Sequence, residues 1–151
     1  MPVIDALVSM VTHRNFLVVL LAWTIAQAIK LTWHWMRTGK WYFHMLVGTG
    51  GMPSSHMTLV SSFAALMGLQ QGWTSPAFQC ALVLALIVMS DAWGARRAAG
   101  RQASVLNRVV SDFYRNSRSQ PRHLRELIGH TPLEVLAGAL LGTTVAALFW
   151  K

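Results

Sequence analysis

Apolar residues in this chain run in long stretches broken by short polar clusters, a pattern of spanning or deeply buried helices. Residues 16–36 read FLVVLLAWTIAQAIKLTWHWM, long enough for the ~20 residues that cross a bilayer, with tryptophans gathered toward one end. Residues 53–69 and 77–93 form two more apolar runs, and the uncharged QQGWTSP between them predicts a tight helical hairpin. Residues 132–150 make a fourth run, in which Ala137, Gly138, Ala139 and Gly142 allow a neighbouring helix to come close. Val3 to Val11 reads as a short interfacial helix, and the absence of a basic leader and a small-residue cleavage site argues against a removed signal peptide. The expectation is an all-α, polytopic membrane bundle of about four transmembrane helices, one membrane domain over 1–151, without internal repeats.

Composition sharpens that class. Hydrophobic residues make up 54% and charged residues 12% of the chain, proportions unsuited to a soluble globule. A single cysteine, Cys80, excludes a disulfide framework or a cysteine-rich metal site, and its apolar surroundings predict a small buried side chain. The net charge of +8 admits nucleic acid as a partner, but seven tryptophans and the apolar runs favour anionic lipid headgroups instead. Eight of the thirteen Lys and Arg residues fall between Arg96 and Arg125. Such a segment, expected to be partly helical, belongs on the cytoplasmic side, together with Arg37 and Lys40. Both termini then lie outside, in an inner, cytoplasmic membrane, with Arg14 and Lys151 as the basic minority on that face.

Three polar clusters carry candidate chemistry. Lys30, His34 and Arg37 are spaced i, i+4 and i+7, one basic stripe at the end of the first run. Arg37 can simply snorkel to headgroups, whereas Lys30 lies deeper, where a charge is expensive unless paired or used. In GGMPSSHM, residues 50–57, the glycines permit close backbone approach, Pro53 suits a first helical turn, and Ser54 and Ser55 offer hydroxyls at a helix N-terminus able to hold an anion. His56 would then stand beside the anion as a proton donor; the plainer alternative is a serine cap with His56 at the membrane interface. In GHTPLE, residues 129–134, Glu134 is four residues after His130 and can orient it, while Thr131 and Glu134 equally fit a capping box. Asp91, at the end of the third run, is placed to neutralise Arg96, Arg97 or Lys30. No carboxylate cluster indicates a metal, the pair Asp91 and Glu134 being the one such a site would have to use, and no cofactor is expected.

Taken together, Lys30 and Arg37 with six residues between, Pro53-Ser54-Ser55-His56, and a basic residue preceding a histidine with an acid four further on resemble the three signature motifs of the type-2 phosphatidic acid phosphatase superfamily. GGMPSSH, DAWGARRAAGRQA followed by LN, and GHTPLEVLAGALLG resemble its divergent bacterial and plastid branch, over nearly the whole chain after about residue 20. By that resemblance His130 attacks phosphorus to form a phosphohistidine, Glu134 orients it, His56 protonates the leaving alcohol, and Lys30, Arg37, Ser54 and Ser55 hold the phosphate. The chain departs from the pattern at Thr38, where the motif has proline, at Ser55, where it has glycine, and at Glu134, where it has aspartate. Arg125 also lies one position nearer the histidine than the motif's arginine, with Leu124 in the expected place, so Arg96 or Arg97 is the other source of that guanidinium. Cationic side chains and two histidines meet the needs of phosphomonoester cleavage without metal. The expected activity is a lipid phosphate phosphatase at the cytoplasmic face, acting on a phospholipid or polyprenyl phosphate: phosphatidylglycerophosphate first, then phosphatidic acid and polyprenyl phosphates. The alternative is a non-catalytic membrane module that binds anionic lipid or a partner through its basic loop. Oligomeric state is open at this level.

Overall fold

Helices begin where the sequence supplies a side-chain acceptor for the unpaired N–H groups of a first turn. In the computed structural model, which describes residues 2–41, 51–113 and 131–151, His13 caps α2 (Arg14–Thr38), Ser54 caps α3 (Ser55–Gln71), Ser75 caps α4 (Pro76–Ser90) and Thr131 caps α6 (Pro132–Phe149). A short α1 (Pro2–Thr12) precedes them. A π-helical segment, Asp91–Ala95, joins α4 directly to α5 (Arg96–Phe113). The described residues contain no strand.

The long element α2 stops at Gly39, which takes φ 67 and sends its N–H back to the Trp35 carbonyl, a left-handed ending that glycine adopts without strain. The hairpin read from QQGWTSP is present: α3 ends at Gly72, α4 starts at Pro76, and the Trp73 ring folds back over Gly68, where a Cβ would strike it. Trp73 also meets Phe78 edge to face, with ring centroids 5.1 Å apart.

Packing is built on small residues inside and large ones outside. Ala22, Ala26, Ala64, Ala65, Ala81 and Ala146 are buried between the helices, along with the polar Thr58, Ser61 and Ser62. Leu17, Leu20 and Leu21 on α2, Val83 and Ile87 on α4, and Leu136, Leu140 and Leu148 on α6 face outward. A soluble core reverses this order; helices that pack in lipid show it, because close backbone approach and polar contacts replace a hydrophobic drive. Cys80 follows the same rule. Read as buried from its neighbours, it is exposed, because α4 turns only its alanine stripe, Ala81 and Ala85, inward.

Among the described residues, α2 and α6 are long and apolar enough to cross a membrane. The other two runs read as spans form α3, of 17 residues, and α4, of 15 residues before it passes into the π segment, both shorter than α2 and α6. The tightest seam joins α3 to α6: a side chain at Gly138 would meet the Ser54 carbonyl and the Met57 side chain, and one at Gly142 would meet Thr58 and Ser61.

The polar ties sort to the two ends. At one end the Asn15 and Gln70 amides exchange hydrogen bonds of 2.7 and 2.8 Å, and Arg14 donates to the Phe149 carbonyl at 3.2 Å. At the other end lie the last turns of α2 and the first turns of α3 and α6, with Ala92 of the π segment packed against Met57 and Val135.

Candidate anion site at the paired helix starts

Two helix N-termini are pinned side by side. The Ser54 N–H donates to the Glu134 carbonyl at 2.9 Å, joining the residue before α3 to the first turn of α6. Gly138 lets this happen, since any larger residue there would press on the Ser54 backbone. Each start is capped from within. Ser54 Oγ accepts from the Met57 N–H at 3.4 Å, and Thr131 and Glu134 form a reciprocal capping box, in which the Thr131 N–H donates to Glu134 Oε2 at 2.9 Å. The positive ends of both helix dipoles therefore face the same space.

The last turns of α2 close that space. Val18, Ala22, Ala26 and Lys30 recur every fourth residue and are all buried, so the stripe that packs α2 into the bundle ends in an ammonium. Lys30 is 3% exposed, and its Nζ donates to Ser55 Oγ at 3.0 Å. A neutral hydroxyl does not balance a buried charge; the carboxylate that lines the same cavity is Glu134. Three residues beyond His34, the Arg37 guanidinium lies over the Trp33 ring, 4.8 Å from its centroid, a cation–π contact that fixes a side chain otherwise free to wander.

A cavity of about 380 Å³ results, lined by Lys30, His34, Arg37, Gly51, Thr131 and Glu134, with Trp33, Met52 and Leu133 completing the wall. Its charged lining is two cations against one carboxylate, and one oxygen of that carboxylate is engaged in the cap. Gly51, at φ 86, carries the chain past the cavity in a conformation that suits glycine. An anion with several oxygens is the ligand such a lining favours.

The residues expected from the sequence fall into four groups. Lys30, Arg37 and Glu134 meet around this cavity, and Ser55 anchors Lys30 from behind. Ser54 is fully buried as a cap and does not line the cavity. His56 is exposed on the first turn of α3, outside the lining, and Asp91 opens the π segment, partly buried. Arg96 and Arg97 stand on the first turn of α5, their side chains outside the described set; His130 and Arg125 lie outside the described residues altogether. Gly51, read from the sequence as a point of close backbone approach, lines the cavity, whereas Trp33 was not singled out beforehand. The stripe spacing already contained Trp33, one residue before His34, but its part as a wall under Arg37 depends on how α2 is rotated in the bundle. Among the described residues, no group of three or more His, Cys, Asp and Glu gathers as a metal site would require.

Residues 11–145 match the model of the Divergent PAP2 family, and the chain belongs to that family. It is 35% identical to the "Uncharacterized membrane protein YuiD" of Bacillus subtilis (strain 168), over 94% of this chain and 99% of that protein. No solved structure matches it.

Proposed function

We propose that this member of the Divergent PAP2 family is a membrane lipid phosphatase that removes a terminal phosphate from a lipid headgroup. The observation that carries the reading is the meeting of Lys30 and Arg37 with two helix N-termini around one cavity, in a family that takes its name from phosphatidic acid phosphatases. A membrane setting is supported by the two helices of spanning length, by the outward belt of large apolar side chains, and by the description of the Bacillus relative as a membrane protein.

In the proposed reaction Lys30, Arg37 and the first-turn N–H groups hold the phosphate oxygens, where fixed donors outperform mobile water. His130, the residue before Thr131 in sequence, attacks phosphorus through an imidazole nitrogen. The N–P bond forms as the P–O bond to the alcohol breaks, and His56 gives its proton to the departing oxygen. A water, giving its proton to the now neutral His56, then attacks phosphorus; the N–P bond breaks and inorganic phosphate leaves. Glu134 both caps α6 and orients His130. Arg96, Arg97 or Arg125 supplies a further guanidinium, and Asp91 balances the basic segment beside it. The arginine-rich sequence from 96 to 125 supports a cytoplasmic orientation for the site, where phosphatidylglycerophosphate is the first substrate to test.

The test is phosphate release by purified protein from a panel of phosphatidylglycerophosphate, phosphatidic acid and polyprenyl phosphate. Wild type should release phosphate from at least one of them and trap an acid-labile phosphoenzyme. His130→Ala should abolish both, and His56→Ala should slow turnover by ~10²–10⁴-fold, less for a phenolic leaving group. Full activity in folded His130→Ala protein would refute the mechanism.

A further inference from the structure

A second cavity, about 330 Å³, opens beside the cationic one between α2 and α6. Its lining is Ile29, Trp33, Met52, Pro53, Ala137 and Leu141, all apolar. Trp33 and Met52 line both cavities, so the two are neighbours across a shared wall. Ile29 lies one helical turn from Trp33 toward the middle of α2, and Leu141 one turn beyond Ala137 toward the middle of α6, so the apolar space runs from the cationic end along two helices of spanning length. Ile29 and Trp33 remain 42% and 49% exposed, which leaves the groove open at the side.

The chemistry of the two spaces selects one kind of occupant. A cationic pocket with converging helix dipoles suits an oxyanion; an adjoining groove without a polar side chain suits hydrocarbon and has nothing to offer a soluble phosphate ester. We propose that the groove between α2 and α6 holds the upper methylenes of one acyl chain of a membrane lipid whose phosphate occupies the cationic cavity, with Trp33 as the wall common to head and chain. This rests on the phosphomonoester reading of that cavity and adds to it a chain subsite. Trp33 is then a positioning residue: one face of its ring carries the Arg37 guanidinium, and its edge meets the chain, so the distance between headgroup and first methylenes is set by one rigid side chain. The open side lets the lipid enter laterally, its remaining chain staying in the bilayer.

Two measurements test the proposal. The first compares kcat/KM for a long-chain lipid phosphate with that for glycerol phosphate, which has no chain. Ala137→Phe fills the groove, and Leu141→Ala widens it. Ala137→Phe should lower the long-chain value at least about tenfold more than the glycerol phosphate value, and Leu141→Ala should shift the ratio the same way by a few-fold, the scale of gaining or losing a methylene-sized contact. Equal losses on both substrates in both variants would overturn the chain subsite. The second needs no turnover: tryptophan fluorescence of the detergent-solubilised protein is titrated with a lipid phosphate brominated on the upper acyl chain. Quenching should be largely absent in Trp33→Phe and should be reversed by unbrominated lipid phosphate but not by a zwitterionic lipid of equal chain length. Equal quenching by a brominated zwitterionic lipid would mean that the groove takes bulk lipid, and would overturn the proposal. Head-selective quenching without phosphate release from any lipid would keep the chain subsite while refuting hydrolysis, so the two failures are distinguishable.

Discussion

The α3–α6 seam and the arm formed by α4, the π segment and α5 are both helical and equally continuous, yet they are built on opposite plans. In the seam the closest approach is made by small and polar residues: the Ser54 cap and Thr58, Ser61 and Ser62 of α3 lie against Gly138 and Gly142 on α6, Ser61 Oγ reaches the Gly138 carbonyl at 3.5 Å, and Met57, Leu66 and Val135 are buried beside them. In the arm, α4 buries only Ala81 and Ala85, and α5 leaves Val105, Leu106, Val109 and Phe113 exposed. Rigid geometry is concentrated where the two helix starts must stay in register, and the arm, which carries four of the chain's ten arginines, is left without such constraint. The anion site thus stands on the part of the molecule least able to rearrange.

The sharpest way to break that contrast is to put a side chain into the seam. Gly142→Leu would drive its side chain into Thr58 and Ser61, and backbone separation is the only relief. Overpacking of this kind costs about 3 kcal/mol at the upper end of its usual range, so the variant should unfold at markedly lower temperature in detergent or fail to accumulate. Leu106→Ser, on the exposed face of α5, should stay within about 0.5 kcal/mol of wild type by the same thermal assay. Similar losses at both positions would mean that seam and arm do not differ in the way their packing suggests.

Lys30→Met separates stability from function inside the seam's own neighbourhood. Methionine is near in length and apolar, so the buried stripe Val18, Ala22, Ala26 is continued while the ammonium and its bond to Ser55 are removed. The methionine avoids the desolvation cost of the buried ammonium, and Glu134, only half-buried and engaged in the cap, is not left as a buried uncompensated charge. The variant should therefore melt at or above the wild-type temperature, yet lose phosphate release by ~10²–10³-fold, the usual worth of one preorganised donor. A folded Lys30→Met protein with undiminished activity would remove Lys30 from the site.

How much of this was legible in the sequence depends on whether a feature is local. The Lys30, His34, Arg37 stripe follows from helix periodicity alone, and the three do line one cavity. The capping box at Thr131 and the hairpin at QQGWTSP are short-range and formed as read. Features that depend on helix rotation were not legible. Of two adjacent serines, both buried, Ser54 caps α3 and Ser55 accepts from Lys30, a division that depends on how α2 and α6 approach α3. Composition could not show that Cys80 is exposed, because in a bundle with small residues inside, an apolar neighbourhood marks the outer surface as readily as the core. Nor did the break at Asp91 end the helix: the π segment absorbs it and α5 continues.

The smallest effect bears on the join between the two helix starts, where Glu134 serves the cap and, in the proposed mechanism, His130 as well. The cap needs an acceptor at the third position of α6 to receive the Thr131 N–H, now 2.9 Å from Oε2, and an amide oxygen is as suitable there as a carboxylate. Glu134→Gln should therefore change stability by only a few tenths of a kcal/mol, about the part of the cap that depends on charge near the positive helix end. Orienting an imidazole that becomes charged as it is phosphorylated needs the negative charge itself, so the same variant should lose activity by far more than its stability change explains. Thr131→Ala reverses the pattern: it deletes the hydroxyl that accepts from the Glu134 N–H, should cost about 1 kcal/mol, and leaves the carboxylate charge in place. Melting temperature and phosphate release measured on both variants in one detergent then form a cross. If Glu134→Gln and Thr131→Ala lie on one line relating activity to stability, Glu134 acts only as a helix cap and orientation of His130 must come from elsewhere.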